Sequence, residues 1–378
     1  MKKAVIVLPT YNEAENVGTI IPSIFSVVKD IPNWEVHILV VDATSPDGTA
    51  DVIRDLQKKY SDLHLLVKEK GGLGADYRKG FEHAIEELKA YVIFEMDADG
   101  QHDPKEIPQF LKKIEQGADF VIGSRYIKGG SIPKEWGLDR KIQSVLGNIV
   151  IRLGFMKLDV TDWTDGFRAI KSWIIKGAAE HIKPYNGYVF QIALLDFAVK
   201  NKAIVKEIPV QFQERTKGVS KISSGRYMVD ILYYIFRYSS FVKFVIVGVL
   251  GFVVDFGFAS VFIYLLHMNK VPANILSAEL AIISNFLLNN FWSFKHKKIE
   301  GGTRSYFFNF AKFNILSLGS IVIQGVGLYL SLRFLGDHII HFGSLGIGTW
   351  ILYKVIIILF IVIPYSYILY NRFIWKEK

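Results

Sequence analysis

Five short apolar runs punctuate the first part of the chain, at Ala4 to Leu8, Val36 to Val41, Leu63 to Val67, Tyr91 to Phe94 and Phe120 to Ile122, each bounded by polar or turn-forming residues. Runs of that length read as buried strands, and the amphipathic stretches between them read as helices. Their alternation predicts an α/β fold with a mostly parallel sheet covered by helices. Beyond about Phe241 the pattern changes. Phe241 to Leu266, Pro272 to Phe294, Phe307 to Leu335 and Leu345 to Trp375 are each long enough to cross about 30 Å of hydrocarbon at about 1.5 Å per residue. Between the two parts, Gly225 to Tyr238 places Tyr227, Ile231, Tyr234, Ile235 and Tyr238 at helical spacing, with Arg226, Asp230 and Arg237 on another face. That pattern fits a helix lying along the bilayer surface; the other reading is a core helix of the soluble part, and the position just before the first span favours the membrane.

This gives three segments: a soluble unit at 1–224, an amphipathic interfacial helix at 225–240 and a four-helix membrane domain at 241–378. The connection between the second and third spans carries Lys295, Lys297, Lys298 and Arg304, whereas Gly336 to Ser344 has no Lys or Arg. By the positive-inside rule the first connection is cytoplasmic and the second external, so the soluble unit and both termini lie in the cytoplasm. Asp255, Glu279 and Lys354 fall in the outer part of the bilayer, where buried charges pair with one another or handle a ligand. The start, Met1-Lys2-Lys3 before an apolar run, resembles a leader, but Pro9 and Tyr11-Asn12-Glu13 cut the run short and it reads as a first strand. No cysteine occurs, which excludes disulfides and thiolate chemistry. The formal net charge is +9, yet no dense basic stripe interleaved with aromatics and no nucleic-acid module is present. Acidic headgroups and phosphorylated substrates fit that charge better.

The chemistry collects where strands end. Directly after Tyr91 to Phe94 comes Glu95-Met96-Asp97-Ala98-Asp99-Gly100-Gln101-His102. In an extended segment residues i and i+2 point the same way, so Asp97 and Asp99 present two hard oxygen ligands to one point. That donor set suits Mg²⁺ or Mn²⁺, which takes its remaining ligands from water and substrate phosphates; the plain alternative is an acidic turn capping the helix that begins near Pro104. After the first strand, Pro9 to Asn16 contains no Gly-x-Gly-x-x-Gly fingerprint, which argues against a dinucleotide fold. After the second, Asp42 either accepts hydrogen bonds from a ribose or base or forms a turn, and Asp47 in Pro46-Asp47-Gly48-Thr49 reads as a cap. Gly71-Gly72-Leu73-Gly74 leads into a helix carrying Arg78 and Lys79, a phosphate approach or a loose turn.

Taken in order, Pro9-Thr10-Tyr11-Asn12-Glu13, the Asp42 turn, Gly71-Gly72-Leu73-Gly74, Asp97 to His102 and Gly123-Ser124-Arg125-Tyr126 resemble the family-2 glycosyltransferases of the GT-A fold. Within these the resemblance is to the dolichyl-phosphate mannose synthase group, over about residues 1 to 225. It implies that Pro9, Tyr11, Glu13, Asp42 and Asp97 hold the sugar nucleotide, and that Asp97, Asp99 and Gln101 hold the metal on its diphosphate. Asp162-Trp163-Thr164-Asp165-Gly166-Phe167-Arg168 looks like the family's Asp-x-x-Ser/Thr-Gly-Phe-Arg segment, and Arg215 to Lys221 like its Arg-x-x-Gly-x-Ser-Lys loop. Two positions depart: Ala43 stands where a second Asp is usual, and Asp165 replaces a small hydroxyl residue. In the membrane part, Phe244 to Gly248 with Asp255-Phe256, Ser284 to Asn290 and Trp292-Ser293-Phe294 resemble the GtrA-like four-span domain.

The activity so implied is inverting transfer of one mannose from GDP-mannose to a dolichyl or polyprenyl phosphate at the cytoplasmic membrane face. Arg125, Arg140, Arg215 and Lys221 are the cations available for the acceptor phosphate, Arg making bidentate contacts and Lys a point charge. Asp97, Asp99, Arg125, Asp162 and Arg215 are the candidate catalytic set, Asp162 either orienting a sugar hydroxyl, serving as base or capping a turn; His102 reads as closing its loop. The absence of Gln-x-x-Arg-Trp favours single transfer over chain extension. The competing readings are glucose transfer from UDP-glucose to undecaprenyl phosphate and a lipid-carrier translocase or scaffold without turnover. Nothing in the sequence sets the oligomeric state.

Overall fold

The computed structural model describes residues 1–214, 224–342 and 345–376, and the chain divides into two compact units, Met1–Ile235 and Phe236–Lys378. The first is built on a seven-stranded sheet in the order β3 (Leu63–Val67), β2 (Trp34–Asp42), β1 (Lys2–Thr10), β4 (Val92–Glu95), β6 (Arg168–Lys171), β5 (Phe120–Ser124), β7 (Val205–Pro209). The strands predicted from the apolar runs are all present, and every neighbouring pair is parallel except those made by β6, which runs antiparallel to β4 and β5. The sequence reading missed β6 and β7. Both are four or five residues long, β6 begins and ends on a charge and β7 carries Lys206-Glu207 inside it, so neither produces an uninterrupted apolar run.

Helices α1 (Ala14–Val28), α2 (Thr49–Gln57), α3 (Leu73–Glu86), α4 (Ile107–Glu115), α5 (Leu138–Phe155), α6 (Ser172–Ile182) and α7 (Val189–Lys200) connect the strands. The amphipathic pattern of α1 buries Val17, Ile20, Ile21, Ile24 and Val28 against the β1 and β2 side chains Ala4, Ile6, Leu8, Ile38 and Val40. The chain reverses sheet order at β1 and β4, where successive strands leave in opposite directions, and their carboxyl ends frame a crevice there. Asp47 is the cap expected of it: Oδ1 accepts from the Thr49 amide and hydroxyl, and Oδ2 from the Ala14 amide, so one carboxylate starts both α1 and α2.

Helix α8 (Ser224–Tyr238) follows, and its tyrosine-rich face is not on a bilayer surface as the sequence suggested. Ile231, Tyr234 and Ile235 are buried in the first unit, and the Tyr234 hydroxyl donates to Asp196 Oδ2 at 2.8 Å and meets His181 Nε2 at 2.9 Å. Gly154 of α5 permits this approach, because a Cβ there would lie 2.7 Å from Ile235 Cγ2. The face left outward carries Val229, Leu232 and Tyr233.

The second unit contains four helices apolar enough and long enough to cross a membrane: Ser240–Leu265, Lys270–Ser293, Thr303–Leu335 and Thr349–Phe373. Their side chains face mostly outward, as those of lipid-facing helices do. A hairpin of β8 (Ile339–Phe342) and β9 (Leu345–Gly348) precedes the last of them, so that helix begins at Thr349, later than the sequence suggested. Asn290 closes the opposite connection: its Oδ1 accepts from the Ile299 amide at 2.8 Å and from Trp375 Nε1 at 3.0 Å, while Trp375 stacks on Phe294. Asp255 accepts a hydrogen bond from Ser277 at 2.6 Å, and among the described residues Asp255, Glu279 and Lys354 form no ion pair, contrary to the expected charge cluster.

Candidate active site

A cavity of about 730 Å³ opens at the carboxyl ends of β1 and β4. One wall is made by Pro9, Tyr11, Glu13, Ala43 and Lys70, the floor by Asp97, Asp99, Gln101 and His102, and the opposite wall by Arg140, Ser144, Gly147, Tyr227, Met228 and Ile231 of α5 and α8. Strand β1 delivers the first wall, and Lys70 Nζ lies 3.5 Å from the Tyr11 ring centroid. Most residues expected at a nucleotide site are therefore together, but Asp42 is not among them. It is fully buried, and its carboxylate accepts from Thr10 Oγ1 (3.0 Å) and Ser45 Oγ (2.6 Å) at Oδ1 and from the Ser45 amide (2.9 Å) at Oδ2. Of the two roles the sequence offered Asp42, ribose or base acceptor and turn former, these contacts are those of a turn former.

The glycine-rich turn also has a different reason from phosphate approach. A Cβ on Gly74 would lie 2.4 Å from the Tyr185 carbonyl oxygen, and one on Gly72, at φ +95°, would lie 2.7 Å from that of Asn186. Close passage of the 185–187 loop requires these glycines. Arg78 fastens the same loop through the Tyr185 carbonyl and Asn186 Oδ1, so it is not available for phosphate.

At the floor, Asp97 and Asp99 follow β4 as the i and i+2 spacing predicted, and both line the cavity. Asp99 Oδ1 accepts from the Gln101 amide, which holds the turn, and Gln101 Nε2 donates to the Gln213 carbonyl at 3.2 Å, which fixes its amide. His102 Nδ1 accepts from the Asp97 amide at 3.0 Å, its ring stacks on Phe167, and burial lowers its pKa. The imidazole is a neutral loop closure with its proton on Nε2, as the sequence suggested. Two carboxylates and an amide facing one cavity fit a hard divalent cation. Among the described residues no third carboxylate or histidine joins them, so such an ion takes its other ligands from water and diphosphate.

Behind the floor lies a charge cluster. Arg125 is buried and grips Asp162 through Nε (2.7 Å) and Nη2 (2.8 Å), with Nη2 also donating to Thr164 Oγ1. Asp162 is fully buried, does not line the cavity, and accepts in addition from the Arg125, Thr164 and Asp165 amides. Burial alone would raise its carboxyl, but the Arg125 charge and hydrogen bonds outweigh burial and hold it below the usual range. Asp162 is thus held as a cap and counter-ion, and Arg125, which itself lines the cavity, is clamped to it through Nε and Nη2. Asp165, with Oδ2 3.4 Å from Arg125 Nε, is pushed up to about 6 by burial, with the Asp162 charge adding to it.

Arg140 lines the cavity with its guanidinium 3.8 Å over the Trp136 ring. Arg215 and Lys221 lie outside the described residues. Three features went unread in the sequence. Glu95, fully buried one residue before Met96, is raised to about 7 by burial despite Arg168 at 3.7 Å and Gln191 at 3.3 Å. Tyr77 reaches Asp97. On α5, Leu138, Ile142, Val145, Leu146, Ile149 and Leu153 form an exposed apolar stripe, a helical spacing that was legible but lies outside the motifs.

A parallel sheet with one reversed strand, an acidic pair at its switch point and an apolar-walled cavity beside it define a nucleotide-sugar transferase of the GT-A class. Residues 5–177 match the model of glycosyl transferase family 2, and 243–375 match that of the GtrA/DPMS transmembrane domain. The chain is 34% identical over 354 residues to a dolichol-phosphate mannosyltransferase of Pyrococcus furiosus, covering 91% of this chain and 95% of that protein. It is 36% identical over 227 residues to a polyprenol monophosphomannose synthase of Mycolicibacterium smegmatis, covering 59% of this chain and 82% of that protein. Among solved structures, glucosyl-3-phosphoglycerate synthase of Mycobacterium tuberculosis in complex with Mn²⁺, UDP-glucose and phosphoglyceric acid aligns with a TM-score of 0.47 at 16% identity, over 62% of this chain and 79% of that one. The chain belongs to the dolichol-phosphate mannosyltransferase family; it is a family-2 glycosyltransferase with a four-span integral membrane domain.

Proposed function

We propose that the chain transfers one mannose from GDP-mannose to the phosphate of a dolichol or polyprenol, with inversion, at the cytoplasmic membrane face. The observation that carries this is the joining of two unlike surfaces in one cavity: the Asp97 and Asp99 corner suited to a diphosphate, and the α5 and α8 wall with Met228 and Ile231 suited to a lipid. Relatives named as mannosyltransferases support the sugar. Pro9, Tyr11, Glu13 and Lys70 would face the nucleotide, and Arg140 would meet the acceptor phosphate from the opposite wall.

Asp97, Asp99 and Gln101 would hold a Mg²⁺ or Mn²⁺, which would supply neutralisation of charge on the departing diphosphate. The acceptor phosphate is already ionised near neutral pH, so its oxygen attacks the anomeric carbon without a general base. That agrees with Asp162 being committed to Arg125. Attack on the face opposite the leaving group inverts the anomeric centre. The exposed apolar stripe of α5 and the outward face of α8 fit a membrane surface from which the acceptor headgroup is drawn.

Transfer of labelled sugar from GDP-mannose and UDP-glucose, side by side, to a short polyprenyl phosphate in detergent tests this reading. Labelling from GDP-mannose that needs Mg²⁺ or Mn²⁺ and stops with EDTA is expected. Labelling from UDP-glucose alone would overturn the donor, and metal-independent labelling would overturn the role of the acidic pair.

A further inference from the structure

Tyr77 sits on α3 with 0% exposure, its ring packed against Phe81 (5.7 Å between centroids) and Phe190 (5.3 Å). Its only polar atom is the phenol oxygen, which lies 3.4 Å from Asp97 Oδ1.

Asp97 has other neighbours besides Tyr77. The backbone is held by the His102 contact, and Gly166 runs beside Oδ2, where a Cβ would lie 3.6 Å away. An aromatic ring this buried is common in a core, but a core position does not need a hydroxyl. Placing a polar oxygen there without a partner would cost about 1–3 kcal/mol, and its partner is a carboxylate of the acidic pair. Groups behind a ligand that hold its orientation typically alter metal affinity by about 10- to 100-fold when removed.

We propose that Tyr77 is a positioning residue for the Asp97 carboxylate, its hydroxyl holding Oδ1 and so setting the orientation in which the group meets a divalent cation. This rests on the reading of Asp97 and Asp99 as the metal pair, and it goes beyond that reading by assigning a residue outside the motifs. The ring supplies the rigidity and the hydroxyl supplies the direction. The two are separable by substitution: Tyr77→Phe removes one oxygen and keeps the ring, whereas Tyr77→Leu removes both.

The test is Mn²⁺ binding to the full chain in detergent, measured by electron paramagnetic resonance of the free ion with GDP present and no acceptor. Wild type, Tyr77→Phe, Tyr77→Leu and Asp97→Asn are compared, with melting temperature recorded for each. The expected result is a Tyr77→Phe protein that melts within a few degrees of wild type, binds Mn²⁺ about 10-fold more weakly, and regains transfer at high Mn²⁺. Equal Mn²⁺ affinity in Tyr77→Phe and wild type, with Asp97→Asn impaired, would overturn the positioning role and leave Tyr77 as packing. Unaltered Mn²⁺ binding in Asp97→Asn would instead overturn the metal-pair reading. A Tyr77→Phe protein that melts as low as Tyr77→Leu would show the hydroxyl to be a folding element and also reject the proposal.

Discussion

The cluster behind the cavity makes a quantitative prediction for Asp165→Ser. Asp165 is a carboxylate where the resemblance implied a small hydroxyl residue, and it is buried with Asp162, both beside Arg125. Its Oδ2 accepts no hydrogen bond, while Oδ1 accepts from the Phe167 amide at 2.7 Å. Burial and the Asp162 charge raise its pKa from 3.8 to about 6. The folded state thus binds a proton more readily than the unfolded state, so stability is lost as pH rises from about 3.8 to about 6 and stays lost above that. The full penalty is on the order of 3 kcal/mol. Serine lacks the charge and can still accept from the Phe167 amide through its hydroxyl. With EDTA present, Asp165→Ser is expected to melt higher than wild type at pH 8, by about 6–12 °C for a unit of this size, and to lose that advantage near pH 4. Scanning fluorimetry in detergent at matched scan rates reads the difference. Parallel pH profiles for the two proteins, or a lower melting temperature for Asp165→Ser at pH 8, would refute the reasoning.

Other outcomes follow from the same geometry. Arg125→Ala strands Asp162 with no cation and is expected to destabilise the first unit by about 3–5 kcal/mol, whereas an acceptor-phosphate ligand would lose transfer with its melting temperature intact. Asp42→Ala removes the acceptor of three hydrogen bonds and is expected to lower stability by about 2 kcal/mol or more, while isothermal titration of GDP changes less than threefold; a large affinity loss in a stable protein would restore Asp42 to the nucleotide site. Because the chain has no cysteine, single cysteines introduced at Lys298 and at Asp337 report topology cleanly, and an impermeant maleimide added outside cells is expected to label only the second.

Much of this was legible beforehand. The apolar runs placed five of seven strands, and the i, i+2 spacing placed Asp97 and Asp99 on one cavity wall, because strand geometry is local. What the sequence left open has one cause. For Asp42 and Asp162 it offered a ligand role beside a turn or cap, and whether a carboxylate faces ligand or protein depends on partners 3 to 37 positions away in the chain. Ala43, noted as a departure, is the residue that does face the cavity there. The two faces of α8 were exchanged for the same reason: periodicity shows that Ile231, Tyr234 and Ile235 share a side, and only the fold shows Asp196, His181 and Gly154 waiting for it. Tyr77 had no signal at all, since its ring reads as core and its hydroxyl acquires meaning from Asp97 alone.

The account stands or falls on what the cavity makes. Membranes containing the chain, supplied with GDP-mannose and polyprenyl phosphate, are extracted and the lipid phosphates resolved by mass spectrometry and anomeric NMR, with Asp97→Asn membranes alongside. The account predicts a lipid phosphate bearing one hexose in β linkage, absent with Asp97→Asn. Products bearing two or more hexoses, an α linkage, or equal yield from Asp97→Asn would contradict it.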